Sequence, residues 1–446
     1  MKPVSEMRAL KMQASAAGGL SDNFDGKVTS GSFNLAKNVL GAGVLSLSSG
    51  VACFTDVKSG LLPACALTVA LGTVSNYAFK LIGETCAKTN SETLQEAWTK
   101  LVGSGAGLVG ASVTALTFGA ALAYSIILAE SFSALGVTFS APAFMQSRNN
   151  CLLMLTTGIL LPLCSLKSLA ALAPFSILGL LGILYTAAMM TVRLMDGSYA
   201  AGGALVGTIA TAAQPSFGKK GTNLAKTLVL TSMLSTNFIC HYNAPRFLKE
   251  IKVPSVGQTL RRYNKMADQG FLGSVVFSML MMSLGFLTFG GNTMGYILNN
   301  YASGDVLASF AHIAIACALI TSYPLAFLSL RDGIFDMFGV HSKDRAKLHY
   351  PATIGTLGLL TSLAWVLRDV GFVVSIMGAI FGSWLIFGIP CILKNAYTKK
   401  EAMKESRNLT VAEKKSIVLN KGLMGAGSVL GVLGALISIM KQLGRL

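Results

Sequence analysis

Long apolar runs, rather than alternating apolar and polar residues, restrict the fold of this chain more than any other feature of its sequence. A hydrocarbon layer about 30 Å thick is crossed by roughly 20 apolar residues in a helix, and about eleven runs meet or approach that length. The predicted spans are 29–55, 60–82, 107–135, 150–166, 169–193, 222–250, 269–291, 304–330, 351–367, 370–393 and 421–440. Charged residues make up only 12% of the chain, about half of their usual share in a soluble protein. The sequence therefore predicts an all-α, polytopic, integral membrane protein.

The formal net charge of +17 is spread unevenly along the chain. Most of the 36 Lys and Arg residues fall in alternate segments between the predicted spans, beginning with the N-terminal segment. Cytoplasmic segments carry such an excess, so we expect a cytoplasmic N-terminus and no nucleic-acid partner. The predicted organisation is a cytoplasmic tail 1–28, a membrane core 29–393, a basic cytoplasmic loop 394–420, and an eleventh helix with a short tail 421–446.

Signals for enzymatic chemistry are absent from the sequence. The eight cysteines have no zinc-ligand spacing and lie in or beside the spans, which is typical of small buried residues. The patterns His-Glu-x-x-His and Gly-x-Ser-x-Gly do not occur, nor do paired aspartates within spans. We therefore expect no catalytic residues, no metal site and no cofactor.

Two predicted spans carry features that interrupt a helix, and they are the first and the sixth. The first contains Gly41-Ala42-Gly43, and the two glycines do not share a helix face, so simple close packing does not explain them. The sixth, LVLTSMLSTNFICHYNAPRFLKEI at 228–251, has a polar middle followed by Pro245. An offset of five helices between two broken spans is typical of transporters built from inverted repeats. The repeats would be 29–193 and 222–393.

A broken helix offers free backbone groups at two new ends. Amides at the start of the second half suit a carboxylate, and carbonyls at the end of the first half suit an ammonium group. Two such breaks facing each other can therefore bind the zwitterion of an α-amino acid. The predicted substrate-binding residues are Gly41, Ala42, Gly43 and Val44 in the first span, Ser235, Thr236, Asn237 and Phe238 in the sixth, and Tyr124 in the third. Tyr124 is open to a second interpretation, that of a packing aromatic.

Four segments resemble the amino acid/auxin permease family of the APC superfamily. FNLAKNVLGAGVLSL at 33–47 resembles its first-helix signature, and FICHYNAPRFLKEI at 238–251 resembles its sixth-helix signature. GETCAKTNSETLQEAWTKLVG at 83–103 and TSYPLAFLSLRDGI at 321–334 are similar to two further segments. The resemblance implies a LeuT-like 5+5 inverted repeat with an eleventh helix. It also implies secondary transport of amino acids, neutral ones as in the sodium-coupled branch, by a monomer in the plasma membrane or a vacuolar membrane.

Lys37 departs from the sodium-coupled members of that family, which typically carry Asn at this position, whereas their eighth-helix hydroxyl matches Ser322. An ionisable residue within a span is a functional candidate. One interpretation places Lys37 against Thr321 and Ser322, where its ammonium replaces sodium and leaves proton coupling or uniport. The other lets Lys37 extend to the cytoplasmic surface. Asn38 and His241 complete the candidates for coupling, with His241 either a structural residue or a proton-linked gate.

Other classes of membrane protein fit the sequence less well. A nutrient receptor on the same scaffold would bind an amino acid with little flux, and it remains the alternative function. A major facilitator protein would show twelve spans and the loop signature Gly-x-x-x-Asp-Arg-x-Gly-Arg, which 80–106 lacks. Glu130, near the far end of the third span, is expected to border a polar vestibule, and His312 to be buried.

Overall fold

The computed structural model describes residues 26–166, 176–219 and 221–445, so most of the predicted tail 1–28 and the start of the span 169–193 lie outside it. Its main helices overlap the predicted spans. They are α1a (Gly26–Val39), α1b (a 3₁₀ turn Ala42–Ser46 and the α-helix Leu47–Phe54), α2 (Leu61–Thr89), α3 (Ala106–Thr138), α4 (Arg148–Leu155, the π turn Thr156–Leu160 and Leu161–Cys164), α5 (Ser176–Met195), α6a (Thr227–Asn237), α6b (Ala244–Glu250), α7 (Val256–Phe289), α8 (Val306–Met337), α9 (Ser342–Val366), α10 (Val370–Lys404) and α11 (Val411–Gln442).

Length and composition qualify part of this set to cross a membrane. Within the described ranges, six helices are long and apolar enough: α2, α3, α7, α8, α10 and α11. The pair α1a and α1b makes a seventh if it is one span bent by 48°. The remaining helices are short, interrupted or begin with charged turns, so the number of eleven spans stays a prediction.

The segment 394–420, expected as a loop, is largely helical. α10 continues to Lys404 and α11 begins at Val411, which leaves only 405–410 as a connection. On α10, Tyr397 donates a hydrogen bond of 2.5 Å to Glu401, one turn later. Thr410 and Glu413 form a capping box at the start of α11. Charged residues exposed to water are compatible with a helix that is capped in this way. The change to a charged composition after residue 393 therefore marks the end of the apolar span but not the end of the helix.

The contacts between the helices divide most of them into two groups. α1b, α2, α6a and α7 pack against one another, while α8 packs mainly against α3 and α5. α10 lies beside α6a and α11. The breaks in α1 and α6 lie close together, because α1b packs against α6a, and residues of both breaks line one cavity with α3 and α10.

A short amphipathic helix, Leu94–Leu101, lies between α2 and α3, and its apolar residues recur at helical spacing. Its apolar face is buried and includes Trp98, whose indole N–H donates to the carbonyl of Ser104 at 2.8 Å. Thr93 caps its first turn. A hydrogen bond from Lys100 is the main reason why the pKa of the Glu96 carboxyl is lowered.

Candidate functional site

A cavity of about 120 Å³ lies between the two helix breaks. Both breaks contribute to its wall, and α3 and α10 close it. Its lining residues are Asn38, Val39, Gly41, Gly43, Leu116, Thr117, Gly119, Ala120, Ala123, Tyr124, Thr236, Asn237, Ile239, Tyr242, Val373, Val374 and Met377. Among these lining residues there is no Asp, Glu, Lys, Arg or His, so the wall is polar at the breaks and neutral throughout.

The break in α1 exposes backbone groups to this cavity. Gly41 is extended, with φ −84° and ψ −173°, and its N–H donates to the carbonyl of Val39 at 2.8 Å. The 3₁₀ turn that follows has no side-chain cap. The first N–H groups of a helix have no partner inside it, so the amides of Ala42 and Gly43 are available to an anion. Val44 differs from the prediction, because its N–H donates to the carbonyl of Gly41 at 3.2 Å and its side chain is buried elsewhere.

The break in α6 supplies a polar acceptor. Asn237 is the last residue of α6a, and its Nδ2 donates to Ser278 at 2.8 Å. Its Oδ1 is buried and has no hydrogen-bond partner in the described part of the chain. The hydroxyl of Thr236 donates to the carbonyl of Val374 on α10. Thr236 and Asn237 thus belong to the lining of the cavity, and a hydrogen bond from α7 holds the side chain of Asn237 in place.

Three predicted residues near this break point away from the cavity. The hydroxyl of Ser235 donates to the carbonyl of Thr231 at 2.9 Å, and the residue packs on α10. Phe238 is fully buried against α2. His241 is also fully buried, with Nε2 3.0 Å from the carbonyl oxygen of Ser75. The rotation of each segment about its own axis places these side chains in the protein interior. The sequence pattern does not specify this rotation.

A second cavity of about 170 Å³ lies on the other side of the α1 break. Lys37 and Ser322 both line it, together with Asn38, Gly41 and Tyr124, which border both cavities. Thr321 is not part of this wall, because its hydroxyl donates to the carbonyls of Cys317 and Ala318 on its own helix. Tyr124 also packs near Tyr323, with ring centroids 6.4 Å apart.

Asn38 connects the two breaks. Its Oδ1 accepts a hydrogen bond of 3.2 Å from Asn243, which immediately precedes α6b. The helix α1a and the start of α6b are therefore joined by a pair of amides rather than by charges. Such a contact can break and re-form without separating ions.

The other polar candidates lie outside the two cavities. Glu130 forms an ion pair of 2.6 Å with Arg148 and accepts a hydrogen bond from Asn299 at 3.3 Å. Together with the buried His312 it borders a separate pocket at the end of α3. Lys249 of α6b pairs with Glu92 at 3.0 Å. These contacts hold the ends of the helices and leave the cavity wall neutral.

Apart from Tyr124, sequence reasoning missed the side of the cavity formed by α3 and α10. On α3 the lining residues Leu116, Gly119, Ala120 and Ala123 follow helical spacing, and on α10 they are Val373, Val374 and Met377. These residues belong to continuous apolar runs in which no single position stands out. The only available signal is the cluster of glycines that begins at Gly378, where the π-helical segment Gly378–Gly388 starts.

Comparison with known proteins identifies the family and the fold. The chain is 22% identical over 404 residues to the sodium-coupled neutral amino acid symporter 2 of Danio rerio, which covers 84% of this chain and 77% of the relative. It is 23% identical over 390 residues to the vacuolar amino acid transporter 2 of Saccharomyces cerevisiae, covering 83% and 77%. Its fold is similar to that of MhsT in complex with L-phenylalanine (TM-score 0.53, 13% identity, 92% of this chain and 98% of that chain). It is also similar to inward-facing Mhp1 (TM-score 0.55, 11% identity, 93% and 91%).

These similarities agree with the arrangement of the helices. The fold is the LeuT-like 5+5 inverted repeat that the sequence predicts, in a multi-pass membrane protein. The model of the family described as transmembrane amino acid transporter protein matches residues 25–436. The chain therefore belongs to the transmembrane amino acid transporter family, whose function is the transport of amino acids and not catalysis.

Proposed function

We propose that the protein is a secondary active transporter of neutral α-amino acids, which bind as zwitterions between the breaks in α1 and α6. The observation that carries this proposal is the neutral wall of the cavity between the breaks. A charged substrate side chain would need an opposite charge there, because burying an unpaired charge is very costly. The zwitterion itself needs only dipoles, which two helix ends provide.

The backbone and one amide side chain suffice to hold the zwitterion. The carboxylate accepts hydrogen bonds from the N–H groups of Ala42 and Gly43 at the start of α1b. The ammonium group donates to Oδ1 of Asn237, which otherwise has no partner among the described residues. Both ends of the substrate are thereby fixed without a charged residue, and its side chain projects toward α3 and α10.

Alternating access follows from the same breaks. The halves of α1 and of α6 can tilt independently, because residues 40–41 and 238–240 between them are not helical. Each half carries one side of the binding site, so a tilt opens the cavity to one face of the membrane. We also propose a monomer as the working unit.

We also propose that transport is independent of sodium. Lys37 and Ser322 line one cavity, and an ammonium group there occupies the place of a monovalent cation and repels a second one. Transport is then coupled to protons or proceeds without coupling. The function suits the plasma membrane and a vacuole-like membrane, with the N-terminus in the cytoplasm.

Uptake into proteoliposomes tests the substrate class. Purified protein is reconstituted and supplied with labelled leucine, alanine, arginine or glutamate, with and without an inward proton gradient. We expect uptake of the neutral amino acids and negligible uptake of arginine and glutamate. Equal uptake of arginine would contradict a neutral site, whereas binding of leucine without flux would favour the receptor function.

Replacement of Lys37 tests the role of the ammonium group. Lys37→Asn should make leucine uptake depend on sodium, as measured in sodium and choline buffers, while the parent protein transports equally in both. Lys27→Asn, on the exposed surface of the same α1a helix, is the matched control and should change nothing. A strict sodium requirement in the parent protein would refute the proposed role of Lys37.

A further inference from the structure

The wall of the cavity opposite the helix breaks has an unusual contact between α3 and α10. A Cβ atom placed on Gly119 would lie 2.2 Å from Sδ and 2.5 Å from Cγ of Met377. The thioether therefore occupies the space that any side chain at position 119 would need. Both residues line the cavity between the breaks, so this contact determines how far Met377 projects into it.

The surroundings make Met377 the adjustable part of this wall. Ala120 and Ala123 on α3 are too short to fill the cavity, and Val373 on α10 is buried and β-branched, which fixes its rotamer. Methionine has three rotatable side-chain bonds and adapts to irregular gaps. Gly119 provides a recess that keeps its thioether against α3, and the adjacent open space is the cavity itself.

We propose that Gly119 and Met377 together set the size of the substrate side chain. With glycine at 119, the recess holds the thioether aside, and the cavity accepts neutral amino acids with large apolar side chains such as leucine. A methyl group at 119 would expel the thioether into the cavity and leave room only for side chains such as that of alanine. This inference rests on the proposed function, because it assigns the side-chain end of the same site.

The ratio of kcat/KM for leucine to that for alanine measures this effect in proteoliposomes. A pocket that loses the room of one or a few methylene groups discriminates by about 10- to 200-fold. Gly119→Ala should lower the ratio by about tenfold or more, chiefly through loss of leucine uptake. Gly110→Ala is the matched control and should leave the ratio unchanged. Gly110 lies on the same helix but outside the cavity, and a Cβ atom added to it would lie 3.4 Å from the nearest atom of Gln95.

A double variant separates this role from a general defect in folding. Gly119→Ala combined with Met377→Ala should restore leucine uptake, since the shortened side chain no longer competes for the space. Met377→Ala alone should raise uptake of phenylalanine relative to leucine. This variant still tests the inference if Gly119→Ala does not fold. An unchanged ratio in both single variants would overturn the inference while the proposed function stands. If the parent protein takes up no amino acid, the proposed function fails first.

Discussion

At the scale of single residues, Asn237 combines two roles that the sequence does not distinguish. Its Nδ2 is bound to Ser278, which fixes the side chain, and its Oδ1 is left without a partner among the described residues. A hydrogen bond to a charged group contributes about 1.5–3 kcal/mol. We therefore expect Asn237→Ala to raise KM for leucine about 10- to 100-fold in proteoliposome uptake, through loss of the acceptor for the ammonium group.

The control for this substitution lies in the same hydrogen-bonded pair. Ser278→Ala removes the donor–acceptor contact that holds Nδ2 but leaves Oδ1 in place. It should raise KM much less than Asn237→Ala does. Equal effects would mean that Asn237 acts through packing between α6a and α7 and not on the substrate.

Gly43 tests the assignment of the carboxylate site. A Cβ atom at this position would have only Cγ1 of Val374 within 4 Å, at 3.9 Å, so the fold has room for a side chain there. That room is the cavity. We expect Gly43→Val to abolish uptake while the monodisperse peak in detergent size-exclusion chromatography is retained.

A valine at Gly422 provides the comparison, because this residue lies on α11, outside both cavities, and a Cβ atom added to it would have nothing within 4 Å. Gly422→Val should leave uptake unchanged. Uptake that survives in Gly43→Val would show that α1 does not contribute an open backbone site.

At the scale of the elements, the close approach of α6a, α10 and α11 depends on small residues. A Cβ atom on Gly378 would lie 1.7 Å from the carbonyl oxygen of Ser232, and one on Gly434 would lie 2.4 Å from the hydroxyl of the same serine. Overpacking of a dense interface costs about 1–3 kcal/mol. Gly378→Ala should therefore lower the Tm in a thermal-unfolding measurement in detergent. The added Cβ would clash with the backbone of α6a, which can move aside only at a cost in free energy.

Gly358 on α9 has nothing within 4 Å of its Cβ position and serves as the reference for helix propensity. Gly358→Ala should leave the Tm unchanged or raise it slightly, since alanine favours a helix over glycine by about 1 kcal/mol. A Tm for Gly378→Ala equal to that of Gly358→Ala would mean that α6a and α10 are not in tight contact.

The same elements show what the sequence could and could not predict. The breaks were predictable because glycines and polar residues clustered within an apolar span weaken its helix, and a broken helix persists in a membrane only where it lines a cavity or faces protein. Which residues near the break face the cavity was not predictable. Ser235 and Phe238 point toward α10 and α2, because packing against the neighbouring helices sets the rotation of each segment. Met377 was missed for a related reason: within an apolar run, facing a cavity and facing lipid or protein require the same kind of residue.

At the scale of the whole molecule, the neutral cavity and the charged ends of the helices are complementary. Ion pairs connect neighbouring helices near their ends. Examples are Arg193–Asp305 and Lys394–Glu84, with nitrogen–oxygen distances of 2.6 and 2.8 Å. The two helix breaks are joined instead by the amides of Asn38 and Asn243. Strong contacts therefore lie at the periphery and weak ones at the centre, an arrangement that suits motion of the half-helices within a stable frame.

The orientation in the membrane gives a last prediction for the molecule as a whole. The sequence contains one acceptor pattern for N-glycosylation, Asn408-Leu409-Thr410, and the structure places it in the short connection between α10 and α11, with Asn408 exposed. The positive-inside rule puts this connection in the cytoplasm. Asn408 should therefore carry no glycan when the protein is expressed in eukaryotic cells.

An engineered acceptor pattern between α5 and α6a, near Gly202, lies on the predicted opposite side and should be glycosylated, as detected by a glycosidase-sensitive shift in gel mobility. A third variant carries the acceptor pattern in a long polar insert after Asn408. The insert keeps the acceptor away from the membrane surface, and we expect this acceptor to remain unmodified as well. Glycosylation of that insert, without modification near Gly202, would invert the orientation. The cavity would then be loaded from the opposite face, and Lys37 would lie toward the lumen and not toward the cytoplasm.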